Sequence, residues 1–259
     1  MTRVICTLSG GKSSAWCAGW ALRTFPKESV LLYFNDTKWE HPDLYRFLRD
    51  VSRALDHPIT EDSDGRSVEE LFMDERMLGN SRVALCSRIL KAERLQKFLE
   101  DGDTLIFGIG PEEVHRAVRI EQVYQRLAME KGKRARLLFP LIKERVEKRE
   151  IDEWLEGMGV APPVLYQYGF SHNNCGGGCV RQGKKQWARL YETFPEVYRE
   201  RERVEENMRR ILGKNVSIIK GSTLKQFREE LEKKPKWASL FPDEGEDGKE
   251  CIGICESQE

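Results

Sequence analysis

A short apolar run, Val4-Ile5-Cys6-Thr7-Leu8, is followed at once by Ser9-Gly10-Gly11-Lys12-Ser13-Ser14, and residues with helical spacing continue to about residue 24. A buried strand that ends in a glycine turn and opens a helix is the start of a βαβ unit, which commits a chain to a sheet with crossover helices. At such a junction the N–H groups of the turn and of the helix N-terminus converge on one point, which suits an anion such as phosphate. Gly10 and Gly11 permit positive φ and close approach. Ser9, Ser13 and Ser14 add hydroxyls, and Lys12 adds a charge. The plainer alternative is a helix cap with a tight turn.

The following residues repeat the alternation. A second apolar run at 30–34 ends at Asn35-Asp36-Thr37, and Leu44, Phe47, Leu48, Val51 and Leu55 space a helix over 43–55. Helices are predicted at 68–73 and 87–99, and strands at 104–109 and 137–142. The expected fold is therefore α/β: a Rossmann-like parallel sheet of about five strands with helices on both faces, in a nucleotide-binding domain over residues 1–170. A helix over 148–158 stops at Gly157, Gly159 and Pro162-Pro163. Beyond it come a Cys/Gly-rich loop at 171–183, a densely charged helical stretch at 184–212 broken near Pro195, and an acidic tail. Residues 171–259 are thus expected to form a helical, Cys-rich region.

Lys+Arg and Asp+Glu both number 43, so a generally basic, nucleic-acid-coating protein is excluded. Local patches remain. Lys131, Lys133, Arg134 and Arg136 form a basic run, and Trp187, Tyr191 and Tyr198 are candidate stacking surfaces for an RNA or DNA acceptor. The alternative is that the charges face water and the aromatics pack. Met1-Thr2-Arg3 leads directly into the first strand, so no signal peptide is visible, and no apolar run approaches the roughly 18 residues of a membrane span. A cytoplasmic protein without a membrane partner is expected. There the seven cysteines point to metal, catalytic or buried thiols rather than disulfides. Cys6 in the first strand and Cys17 in the first helix read as core residues.

The ordinary phosphate loop, G-x-x-x-x-G-K-[ST], is not matched, because its first glycine would fall at Cys6. The turn resembles instead the S-G-G-x-x-S loop of the PP-loop superfamily, the adenine-nucleotide α-hydrolases, with Ser13 where an Asp is usual. Further segments resemble its phosphoadenosine phosphosulfate (PAPS) reductase-like branch, in the same order. They are Leu32-Tyr33-Phe34-Asn35-Asp36-Thr37, Cys86-Ser87-Arg88-Ile89-Leu90-Lys91, Gly108-Ile109-Gly110 with Glu113, Arg116 and Arg119, Phe139-Pro140-Leu141-Ile142, and Pro163 to Phe170 before the cysteine loop. The resemblance covers roughly residues 3 to 185.

That resemblance implies a nucleotide, ATP or a sulfated adenine nucleotide, held by Ser9, Gly10, Gly11, Lys12, Ser13 and Ser14 with Asp36 and Gly108. These positions lie at predicted strand ends, where open parallel sheets bind ligands. Asp36 would contact adenine or ribose or position Mg²⁺, the ion expected with ATP, or it caps a turn. Arg116 and Arg119, three apart on one helix face, are candidates to hold phosphate or sulfate and, with Lys12, to stabilise developing charge. Alternatively they form a solvated face paired with Glu112, Glu113 or Glu121. Lys91 is a similar cationic candidate.

The cysteines offer several chemistries. Cys175 and Cys179 are separated only by glycines, which let backbone wrap a metal or cluster. With Cys86 and a terminal cysteine they are candidate ligands of a [4Fe–4S] cluster; with Cys251 and Cys255 they are candidates for a four-thiolate Zn²⁺ site. Cys251 loosely resembles the family's Glu-Cys-Gly-x-His nucleophile, with an extra residue before glycine and no histidine. The leading expectation is ATP cleavage between the α and β phosphates, adenylating an acceptor in thiolation-type sulfur chemistry. The alternatives are a sulfonucleotide reductase releasing sulfite with a thioredoxin-type reductant and Cys251 as catalytic thiol, and a non-catalytic nucleotide- or cluster-binding module.

Overall fold

A computed structural model describes residues 3–233. In chain order the elements are β1 (Val4–Leu8), α1 (Lys12–Thr24), β2 (Val30–Asp36), α2 (Pro42–Ala54), β3 (Ile59–Ser63), α3 (Val68–Asp74), α4 (Arg94–Phe98), β4 (Thr104–Ile106), α5 (Val114–Lys131), β5 (Arg136–Leu138), α6 (Pro140–Glu144), α7 (Lys148–Gly157), α8 (Lys184–Thr193), α9 (Pro195–Leu212) and α10 (Leu224–Lys233). A π-helical stretch, Ser87–Glu93, leads into α4. Among the described residues no helix is long and apolar enough to cross a membrane.

The strands form one five-stranded sheet of order β3-β2-β1-β4-β5, an α/β Rossmann-like arrangement. β1 pairs parallel with β2 and β4, and β4 pairs parallel with β5. The chain winds outward from β1 to β3, then restarts on the other side of β1 at β4. The switch point therefore lies between β1 and β4, the place where such sheets bind ligands beyond the strand ends.

Two predicted strands end earlier than expected. β4 stops at Ile106, because the chain turns immediately and the Ile109 N–H donates to the Phe107 carbonyl at 3.0 Å. β5 stops at Leu138 instead of running to 142, because Pro140 opens α6; proline lacks the N–H a ladder needs but suits the first turn of a helix. β3 had no apolar signature to announce it, being Ile-Thr-Glu-Asp-Ser with no residue fully buried, whereas α10, outside the predicted elements, carries Leu224, Phe227 and Leu231 at helical spacing and buries all three.

The contacts group the chain into two compact units, each assembled from separate stretches. Within the described residues the sheet unit comprises 3–36, 42–62 and 94–163, and the helical unit comprises 37–41, 63–93 and 164–233. The core of the sheet unit includes Cys6, Leu32 and Phe34 from the strands and Trp16, Cys17 and Ala21 from α1. Burial holds the Cys6 and Cys17 thiols well above their ordinary pKa, so both are inert core residues.

The helical unit has its own core, in which Trp187 of α8 and Tyr198 of α9 meet edge to face at 5.8 Å. Both rings are fully buried, and the Tyr198 hydroxyl donates to the Leu224 carbonyl at 2.7 Å. Tyr191 donates to Glu232 at 3.0 Å. These aromatics pack within the fold, which corrects the expectation that they stack nucleic-acid bases. The basic run is likewise tied to the sheet unit: Lys133 Nζ donates to the carbonyls of Gln96 and Leu99, and Arg134 pairs with Asp101. Glu205 is wholly buried and accepts the N–H groups of Ile218 and Leu224, at 2.7 and 2.6 Å, fixing the segment between α9 and α10.

Candidate functional site

The residues between β1 and α1 form a tight, half-buried loop in the sheet unit. Gly10 adopts φ +78°, and a Cβ built there would lie 2.5 Å from Leu44 Cδ1, so both backbone and packing demand glycine. Ser14 braces the loop from inside. Its Oγ donates to the Gly11 carbonyl at 2.9 Å and accepts the Ser9 N–H at 3.1 Å. Ser14 is buried and its proton is committed, so it shapes the loop; Ser9 and Ser13 are only half-buried. Gly11 is the N-cap residue of α1 without a side-chain cap bond, and the first turn contains no acidic residue. The helix therefore offers first-turn N–H groups and the positive end of its dipole at this point.

Gly108, just past β4, closes the other side of the switch point. A Cβ here would lie 2.7 Å from the Ser14 nitrogen and 2.8 Å from its Cα. Its φ is not in the left-handed region, so the requirement for glycine is purely steric: two backbones touch. This is the form of close approach that leaves amide groups accessible to a ligand at a strand end.

The surrounding charges are distributed unevenly. Lys12 Nζ lies 2.5 Å from Asp152 Oδ1 on α7. Asp36, at the end of β2, accepts the Tyr45 hydroxyl at 2.8 Å. Nearby, Tyr33, Asn35 and Arg94 all donate to the carboxylate of Asp62; this network had no local signature, because β3 has no apolar pattern. Arg116 is buried near the start of α5 and paired with Glu113, whereas Arg119 is exposed. The two arginines therefore do not present one face together. Three residues rotate a helix by about 300°, and the apolar side of α5, with Ala117, Ile120 and Tyr124, takes Arg116 inward while Arg119 faces out.

The cysteine loop belongs to the helical unit. Cys175, Gly176 and Gly177 take consecutive positive φ values of 54°, 62° and 79°. Three left-handed residues in succession turn the chain back sharply, which explains two of the glycines. A residue passed over in the sequence, Glu40, organises this loop. Its carboxylate is fully buried and accepts the Cys175 N–H at 2.7 Å and the Thr37 hydroxyl at 3.0 Å, and Lys91 Nζ stands 3.5 Å away. Arg201, also unanticipated, stacks over the Trp39 ring at 3.7 Å and donates to the Trp39 and Cys175 carbonyls. Glu40 lies 135 residues from Cys175, so no local spacing could have linked them.

The Cys175 thiol hydrogen-bonds with Cys179, and this contact, burial, and the charges of Cys179 and Glu40 hold its pKa well above the ordinary value, against the opposing pull of Lys91. It is a protonated thiol in this setting, not an activated nucleophile. Cys86 is buried in the same core. Among the described residues no three His, Cys, Asp or Glu side chains assemble into a group that could hold a metal ion. The described residues thus supply two neighbouring thiols toward the expected iron–sulfur or zinc site. Cys251 and Cys255 lie outside the described residues.

The family model of the phosphoadenosine phosphosulfate reductase domain matches residues 3–177. A crystal structure of phosphoadenylyl-sulfate (PAPS) reductase from Candida auris, in a phosphate complex, is similar to this chain at 17% sequence identity, with a TM-score of 0.45, over 66% of this chain and 79% of that one. No curated protein matches the chain.

Proposed function

The chain belongs to the phosphoadenosine phosphosulfate reductase domain family of the PP-loop superfamily, and from that membership we propose that it binds a sulfated adenine nucleotide at the β1–α1 loop and releases sulfite from it. The observation that carries the proposal is the contact of Gly108 with the Ser14 backbone, which closes a strand-end cradle of amide groups at the switch point. The loop with Lys12 would hold the phosphate chain. Asp36 would meet the nucleoside end, and Arg116, released from Glu113, would meet the phosphate or sulfate.

The chemistry then runs in two displacements. A thiolate attacks the sulfate sulfur, the S–O bond to the phosphate breaks, and the nucleotide leaves with the bonding pair, giving an S-sulfonated cysteine. A second thiol, from a thioredoxin-type dithiol, attacks the cysteine sulfur, so that sulfite leaves with the S–S pair and a disulfide forms. Cys251 is the proposed nucleophile, because its segment loosely resembles the family's Glu-Cys-Gly-x-His nucleophile, while the thiols of Cys6, Cys17 and Cys175 are held protonated.

A second reading, adenylation of an acceptor by ATP with release of pyrophosphate and Mg²⁺ as counter-ion, is favoured by one observation. The Lys249-Glu250-Cys251-Ile252-Gly253 segment departs from the reductase pattern by an inserted residue and a missing histidine. One experiment separates the readings. The full chain is incubated with PAPS and a dithiol reductant, or with ATP and Mg²⁺, and sulfite and pyrophosphate are measured. Sulfite from wild type and none from Cys251→Ser supports reduction. Pyrophosphate without sulfite transfers the assignment to adenylation.

A further inference from the structure

The cation of the nucleotide loop is already engaged. Lys12 is the first residue of α1, and its ammonium sits 2.5 Å from Asp152 of α7, both groups being partly open to solvent at 23% and 51%. The contact follows from how the helices pack. Gly19, two turns along α1 from Lys12 and on the same face, lies directly against Trp154 of α7, close enough that a Cβ there would overlap the indole. Asp152 of the same helix meets Lys12 in the N-terminal turn of α1. The α7 carboxylate is thus placed at the mouth of a loop whose other groups are backbone amides and hydroxyls.

We propose that Asp152 is a positioning residue: it holds Lys12 while the loop is empty and surrenders it to a polyanionic phosphate chain. The inference rests on the reading of the β1–α1 loop as the nucleotide site and deepens it. An ion pair this exposed is worth at most about 1 kcal/mol, so a ligand bearing several negative charges can exchange it at little cost. A ligand with too little charge to displace the pair binds without Lys12 and is little affected by Asp152. The same exchange fixes where Lys12 starts, poised beside the loop and not dispersed in solvent.

The test is calorimetric titration of the full chain at low ionic strength with PAPS, ATP and AMP, on wild type, Asp152→Asn, Asp152→Glu, Lys12→Met and the Lys12→Met/Asp152→Asn double variant. Removing the competing charge should tighten the polyanion that binds by about two- to five-fold, the equivalent of that pair energy. AMP, with the smaller charge, should tighten less than the polyanion in Asp152→Asn, and Asp152→Glu, which keeps the pair, should behave as wild type with all three ligands. The tightening should vanish in the Lys12→Met background and fade as salt is raised. Unchanged or weaker binding by Asp152→Asn overturns the proposal, as does equal tightening with and without Lys12, which would mean a general field effect. In both cases wild-type binding leaves the loop reading intact. If wild type binds none of the three ligands, the loop reading falls and the role of Asp152 falls with it.

Discussion

Two glycine loops, one in each unit, use the same residue for opposite ends. The β1–α1 loop needs Gly10 for a left-handed turn packed against the Leu44 side chain, and Gly108 past β4 lets its backbone touch that of Ser14 at the start of α1. The cysteine loop needs Gly176 and Gly177 so that the chain can coil back on itself, and its polar groups are then consumed internally by Glu40 and Arg201. One loop is half-buried and braced by Ser14; the other is buried and held by hydrogen bonds to the Glu40 carboxylate and the Arg201 guanidinium. The same residue type thus serves a half-buried helix N-terminus in one unit and a buried reverse turn in the other, and burial of the surrounding charges tells the two cases apart.

The largest test of this contrast is Glu40→Ala. It removes the carboxylate that stands 3.5 Å from the buried Lys91 ammonium and that accepts the Cys175 N–H. Breaking a buried pair from one side costs about 3–5 kcal/mol, so chemical denaturation should show a loss of that order. A change below about 1 kcal/mol would mean that the cysteine loop is not held this way. Next comes Gly108→Val, which forces side-chain atoms into the Ser14 backbone. Overpacking of this kind costs about 1–3 kcal/mol, and nucleotide binding measured by calorimetry should disappear even where the protein remains folded. Ser14→Ala is milder: the loop loses the acceptor for Ser9 and the donor to Gly11, about 1–3 kcal/mol for a buried group left unsatisfied, and nucleotide affinity should fall without vanishing.

How much of this was legible beforehand follows from where the information sits. The β1–turn–α1 junction, the strand ending at Asp36 and the break at Pro195 are local patterns, and each appears in the fold at its expected place. The family followed from ordered short segments of the same kind. What stayed hidden was long-range or lacked periodicity. Glu40 and Arg201 meet Cys175 only through tertiary folding. Asp152 is one acid among many on a charged helix, and nothing in Lys148–Gly157 marks it until α7 is packed against α1. Arg116 and Arg119 show the limit of spacing arguments, because three residues on a helix edge separate an inward residue from an outward one.

The smallest expected effect concerns pH. The Cys175 thiol is held protonated by Cys179, by burial and by Glu40, while in the unfolded chain a thiol titrates near about 8.5. The folded state therefore keeps its proton above that pH when the unfolded state has lost one. By linkage, stability is then lost as pH rises, with nothing changed below about pH 8. A Cys175→Ala variant should match the wild type's pH dependence near neutrality and show a shallower decline between about pH 8.5 and 10. Because Cys6 and Cys17 are held protonated in the sheet unit as well, some decline should persist in the variant. Identical slopes for the two proteins would place the alkaline sensitivity wholly outside the cysteine loop, and would remove the claim that its thiol is buried in a carboxylate's field.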